Sequence, residues 1–294
     1  MNLWQRLFGR KKTAPPDRAK TAPLDPGILP TPPAIEGRHH ILIGCAQSVG
    51  MERTHNEDAL LVIQGNAGGA EAIPDFGLFL VADGMGGHRS GEVASMVSAR
   101  AVAKSLTEDS LLSLLDPEKA DPSPTLQDSM RNALENANNV VVDRVPGGGT
   151  TLTAVLLLGD HLTIGHVGDS RAYFIQSGQM QVVTRDHSLV ERLRELGQLS
   201  RQEAANHPQR NVLYRAIGQG ANLEVDVQTH TVPHGGHLLL CSDGLWGVIS
   251  DEEIGKVVRE ARDPQGACDE LVRAANNAGG PDNITVVLVY FPPT

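Results

Sequence analysis

The sequence predicts an α+β fold of antiparallel sheets with helices packed on their outer faces. Short runs of β-branched and aliphatic residues recur along the chain, they come in clusters without strict alternation with helices, and acidic residues beside glycine punctuate their ends. The strand candidates are Ile41–Ala46, Ala59–Ile63, Leu78–Ala82, Leu152–Leu158, Leu162–Val167, Ala172–Ile175, His237–Cys241 and Ile284–Tyr290. Helical patterns are fewer. Gly91–Leu106 carries Val93, Met96, Val97 and Val102 near helical spacing, and Leu126–Val142, Leu189–Leu196 and Asp251–Arg262 complete the set. Gly147-Gly148-Gly149-Thr150-Thr151 has no following Lys-Ser or Lys-Thr and precedes a strand, so it reads as a tight turn and not as a nucleotide loop.

The first 40 residues differ from the rest. Seven of the 18 prolines lie between Pro15 and Pro33, which predicts a semi-extended linker that does not pack. Ahead of it Leu3, Trp4, Leu7 and Phe8 share one face of a short helical pattern, followed by Arg10, Lys11 and Lys12, the composition of a weak membrane or partner anchor over residues 1–12. Residues 1–40 are therefore expected as a basic, proline-rich tail, and residues 41–294 as one domain.

With 40% hydrophobic residues but only 3% aromatics, the core must be mostly aliphatic. A formal net charge of -10 argues against nucleic acid as a partner, because phosphate-backbone binding draws on clustered Lys and Arg. Cys45, Cys241 and Cys268 are far apart and form no C-x-x-C pair, which indicates neither a disulfide framework nor a zinc site. No run approaches the roughly 18 apolar residues of a membrane span, and no apolar signal segment opens the chain. A cytoplasmic protein is expected, with peripheral contact at the inner membrane face as the variation that the first 12 residues suggest.

Chemistry concentrates in five places where acids adjoin glycine or an apolar run: Arg53-Thr54-His55-Asn56-Glu57-Asp58, Asp83-Gly84-Met85-Gly86-Gly87-His88, Gly168-Asp169-Ser170-Arg171, Ser242-Asp243-Gly244-Leu245-Trp246 and Gly280-Pro281-Asp282-Asn283. One Asp-Gly is ordinary turn punctuation. Five such acidic motifs in one chain have another meaning. Carboxylates that converge without intervening cations repel one another, and hard divalent ions relieve that repulsion. An oxygen-only, Asp-rich set selects Mg²⁺ or Mn²⁺ over zinc or copper.

These five motifs, in this order, resemble the metal-dependent protein phosphatases of the PP2C type, bacterial members above all. The likeness runs from about Ile41 to Tyr290 and includes Thr184-Arg185-Asp186-His187-Ser188 and a flap over about 189–211 with Asn206-His207-Pro208-Gln209-Arg210-Asn211. It implies a central sandwich of two antiparallel sheets flanked by helices. It also implies a serine/threonine phosphatase that uses water activated by two Mn²⁺ or Mg²⁺ ions, with a third, weaker ion and no phosphoenzyme. By the same resemblance Asp83 bridges the metals, Gly84 offers a carbonyl, Asp243 and Asp282 are further ligands, and Glu57 and Asp58 bind through water or hold those ligands. Asp169 joins Asp243 at the third ion, and Arg53 grips the phosphate with a planar guanidinium that Lys cannot replace.

Met85 departs from animal relatives, which carry there a histidine discussed as the proton donor. His88 in the same turn is the nearest substitute in sequence, whereas His55, His166 and His187 read as structural hydrogen-bonding residues. The expected partners are phosphorylated Ser/Thr proteins, an opposing kinase or its substrates among them, in signal transduction. A catalytically silent, phosphoprotein-binding relative is the alternative. It would lack a ligand, and here Asp83, Asp169, Asp243, Asp282 and Arg53 are all present.

Overall fold

The computed structural model of the protein describes residues 40–66, 74–86, 89–112 and 125–293. Residues 39–294 form one compact unit. One sheet has the order β1-β12-β11-β8-β9, built from β1 (Leu42–Ser48), β8 (Arg171–Gln176), β9 (Gln179–Val182), β11 (His237–Cys241) and β12 (Ile284–Tyr290). The other has the order β10-β7-β6-β3-β2, from β2 (Ala59–Gly65), β3 (Phe76–Ala82), β6 (Leu152–Leu158), β7 (His161–Val167) and β10 (Asp226–Thr231). Every pairing within both sheets is antiparallel. A two-stranded ribbon joins β4 (Gly84–Met85) to β5 (Gly149–Thr150).

The central strands are buried on both faces, which is why they read as continuous apolar runs in the sequence. In β3, Phe79 and Val81 enter the layer between the sheets, together with Val155, Ile164, Leu238, Leu240, Val287 and Val289. Their neighbours Leu78, Leu80 and Ala82 face α1 (Arg89–Leu106) and α2 (Leu126–Arg144). On the opposite side Leu239, Cys241, Val286 and Leu288 pack under α5 (Asp243–Trp246), α6 (Asp251–Glu260) and α7 (Pro264–Asn277). Each fully buried Leu or Val stabilises the fold by about 1.5–3 kcal/mol relative to exposure, so this aliphatic sandwich needs few aromatics.

Two sequence expectations change. The buried face of α1 is Ala94, Ser98, Val102 and Leu106, while Val93 and Met96 remain exposed at 36% and 38%. Small residues near its start let the helix lie close over the ribbon, while Val102 and Leu106 seat its second half in the core. Also not anticipated are β9, β10, α5 and α7, the two-residue ribbon strands β4 and β5, the π-helical turn Thr107–Leu111, and the short α4 (Arg201–Ala205) that follows α3 (Leu189–Glu195) in the flap. Helix α7 has a full start signal, since the Asp263 side chain accepts from Gly266 N at 2.8 Å and Pro264 stands at the first helical turn.

Candidate active site

The five acidic motifs converge at one end of the sandwich. Asp58 lies just before β2, where Asn56 Oδ1 accepts its N–H at 3.1 Å. Its Oδ2 accepts from Ser242 Oγ at 2.8 Å and Thr285 Oγ1 at 2.6 Å, both on the other sheet's side of the seam. Asp83 leaves β3 with its main chain fully bonded. Its N–H donates to Thr151 Oγ1 at 2.9 Å, and its carbonyl accepts from Thr151 N and Thr150 Oγ1, each at 2.8 Å. Asp169 occupies the link between β7 and β8, and Asp243 opens α5 directly after β11.

Gly84 is a position of close approach. Its N–H donates to Glu57 O at 3.1 Å, and an added Cβ would lie 2.4 Å from Gly91 O and 2.5 Å from Glu57 O. Those contacts are with main chain on two different elements, which cannot yield as a side chain would. Gly84→Ala is therefore expected to destabilise the protein by roughly 2–4 kcal/mol, the range of severe overpacking. A denaturant midpoint equal to wild type would refute that packing argument.

Asp282 ends the turn before β12 and pairs with Arg53, Nη2 to Oδ2 at 2.8 Å, while half of the arginine side chain stays exposed. Asn283 fastens the loop that carries Arg53. Its Nδ2 donates to Val49 O at 2.9 Å and His55 O at 2.8 Å, and its Oδ1 accepts from Glu57 N at 2.7 Å.

The electrostatics are those of an acidic cage. Burial, with repulsion from Asp243 and Asp282, pushes Asp58 up to about 7 despite its two hydroxyl donors. Asp243 is raised to about 6, by desolvation first and Asp282 second. Asp83 and Asp169 are raised as well, by burial and then by neighbouring carboxylates. Asp83 and Asp243 keep part of their surface open, so water moderates the effect at the mouth of the cage. Asp58 Oδ1 and Asp243 Oδ1 are shielded from solvent and have no hydrogen-bond partner. Among the described residues no three acidic, His or Cys side chains are already closed around one point. Buried carboxylate oxygens without donors, in a cluster short of cations, nevertheless fit hard divalent ions.

The protein phosphatase 2C family profile matches residues 52–279. The chain belongs to that family. It is thus a metal-dependent protein phosphatase. The chain is 36% identical to the Listeria innocua serine/threonine phosphatase stp over 240 residues, 82% of this chain and 92% of the relative. The Mycobacterium tuberculosis phosphatase PstP/Ppp superimposes with a TM-score of 0.72 at 31% identity, covering 86% of this chain and 99% of that one. A structure of the PstP catalytic domain in complex with two manganese ions, 30% identical, aligns with a TM-score of 0.70 over 85% of this chain and 97% of that one.

Within this 2C phosphatase, Arg53, Glu57, Asp58, Asp83, Gly84, Asp169, Asp243 and Asp282 all belong to the strand ends and turns just described. His88, the proton-donor candidate, lies outside the described residues, as do residues 1–39 with the anchor expected at 1–12. Thr150, Thr151, Ser242, Asn283 and Thr285 support the acidic residues, and none was singled out from the sequence. Ser242, Asn283 and Thr285 stand within or beside the Asp motifs, and Thr150 and Thr151 in the glycine turn Gly147–Thr151, with nothing there to mark a supporting role. His166 and His187 are buried and hydrogen-bonded, in line with a structural reading, and burial drives His166 down to about 3.

Proposed function

We propose that this chain hydrolyses phosphoserine and phosphothreonine in proteins with water as nucleophile, using two Mn²⁺ or Mg²⁺ ions and a third, weaker one. The observation that carries this is the carboxylate cage with two donorless buried oxygens, opening beside a half-exposed arginine. Asp83, the Gly84 carbonyl, Asp243 and Asp282 hold the ion pair, Asp169 with Asp243 holds the third ion, and Glu57 and Asp58 brace these ligands. When bound, the ions lower the pKa of a shared water and offset charge on the phosphate.

Arg53 binds two phosphate oxygens and stabilises charge that builds in the transition state. No side chain needs to be phosphorylated. Cys241 and Cys268 are buried, and burial raises both thiols, Cys268 to about 12, so neither supplies a thiolate. Substrates are proteins phosphorylated by an opposing serine/threonine kinase, or that kinase itself, in cytoplasmic signalling, and residues 1–12 add weak membrane or partner docking. Among the described residues no helix is long and apolar enough to cross a membrane.

Phosphate release from a phosphothreonine peptide tests the reading. Turnover with Mn²⁺, loss in EDTA and no cleavage of DNA are expected; cleavage of DNA diesters with an inert phosphopeptide would point to a two-metal nuclease. Arg53→Lys should lower kcat/KM about 10- to 100-fold, the equivalent of losing one charged hydrogen bond of about 1.5–3 kcal/mol. An unchanged kcat/KM removes Arg53 from phosphate binding.

A further inference from the structure

The segment before the flap contains a histidine whose ring faces the main-chain N–H of Gly168, the residue before Asp169. His187 and Gly168 bond reciprocally: His187 N–H donates to Gly168 O at 2.7 Å, and Gly168 N–H donates to His187 Nδ1 at 3.0 Å. The second bond fixes the tautomer. Because Nδ1 accepts, the proton resides on Nε2, which then donates to Asp226 Oδ2 at 3.2 Å. Arg215 Nη1, 3.1 Å from the same Nε2, therefore serves Asp226 Oδ1 at 2.8 Å and not the ring.

Gly168 adopts φ +109°, and a Cβ there would lie 2.5 Å from Thr151, so the turn at Gly168 between the two peptides has one narrow setting. On the far side of Asp169, its carbonyl accepts from Trp246 Nε1 at 3.1 Å. The flap is rooted on the same histidine, since Tyr214 N–H donates to His187 O at 3.0 Å and Ser188 bridges to Leu213. Only 1% of the His187 side chain is exposed, which keeps water from competing for Nδ1.

We infer that His187 is a positioning residue for the reaction: its Nδ1 lone pair holds the Val167–Gly168 peptide while its own main-chain N–H holds the Gly168–Asp169 peptide, so that Gly168 is pinned on both sides and the Asp169 carboxylate is set beside Asp243. The inference rests on the reading of Asp169 as a metal ligand. A carboxylate repelled by its neighbours turns away unless its backbone is held, and partners of this kind behind a ligand are typically worth about 10- to 100-fold in metal affinity.

Three substitutions separate this role from a packing role. Asn offers Oδ1 at the place of Nδ1 and so keeps the acceptor for Gly168. Gln reaches Asp226 but has no acceptor at the δ position, and Ala has neither. The measurement is Mn²⁺ binding to the metal-free protein by calorimetry and by Mn²⁺ electron paramagnetic resonance, beside thermal unfolding in EDTA. Expected is a weakest class of Mn²⁺ sites reduced about 10-fold or more in His187→Ala and His187→Gln, and close to wild type in His187→Asn, whatever the order of unfolding temperatures. Binding isotherms equal to wild type in the Ala and Gln variants, or affinities that only follow the unfolding temperatures, would overturn the inference. Asp169→Asn is the reference. If it leaves Mn²⁺ binding intact, the reading of Asp169 itself fails, which is a different result from a failure confined to His187.

Discussion

Asp83→Asn is expected to abolish nearly all phosphatase activity, by roughly three orders of magnitude, in a protein that remains folded. Metal centres contribute several kcal/mol of transition-state stabilisation, and each 1.36 kcal/mol is tenfold in rate. An amide of the same shape is neutral and a far poorer ligand for a hard cation. The fold should survive, because Thr150 and Thr151 bond the main chain of Asp83 and not its carboxylate. The metal-free variant should even gain stability at neutral pH, since the lost charge is one that Asp58, Asp243, Asp169 and Asp282 repel. Phosphate release and thermal unfolding in EDTA check both parts. Activity within tenfold of wild type would mean that Asp83 does not hold the ions.

The second large effect is a reversal of sign in the pH dependence of stability. In the metal-free protein Asp58 is raised from 3.8 to about 7 and Asp243 to about 6, with Asp83 and Asp169 also raised. The folded state thus binds protons more tightly than the unfolded state. Stability of the metal-free protein must rise as pH falls from about 8 through 7 and 6, with the gain complete as pH nears 4. Three pK units at one site correspond to about 4 kcal/mol, an upper bound where several carboxyls share the effect. With Mn²⁺ present the carboxylates must be deprotonated to bind, so stability falls over the same interval. Denaturant midpoints at pH 8 and pH 5, in EDTA and in Mn²⁺, should move in opposite directions; parallel movement would show that these groups are not what the ions bind.

Much of this architecture is legible in the sequence because the strands that hold the site are buried on both faces. Leu152–Leu158, His237–Cys241 and Ile284–Tyr290 were expected with the boundaries that the structure has. The strand β10 was invisible for the converse reason. Asp226–Thr231 is an edge strand with sequence DVQTHT, mostly polar and only partly buried, so nothing apolar marks it. Helix α7 does carry its signals in the sequence: Asp263 and Pro264 mark its start, and Ala267, Cys268, Leu271 and Ala275 lie on its buried side. The acidic residues are marked in the sequence by the glycines or apolar runs beside them. The hydroxyl and amide groups that orient them are not, since Ser242, Asn283 and Thr285 acquire meaning only when distant strand ends meet.

The seam between the sheets has a consequence for how the molecule breathes. Asp58 and Asp83 come from one sheet, Asp243 and Asp282 from the other, and at this end Asp58 already clips the layers together through Ser242 and Thr285. Cations held across that line act as further rivets between two halves that meet mainly through apolar side chains. Loading with metal should therefore slow amide hydrogen exchange chiefly along the catalytic rim, at the ends of β3, β11 and β12. The opposite rim, where His237 pairs with Tyr290 and Ile175, has no such rivet and should exchange at the same rate whether or not metal is bound.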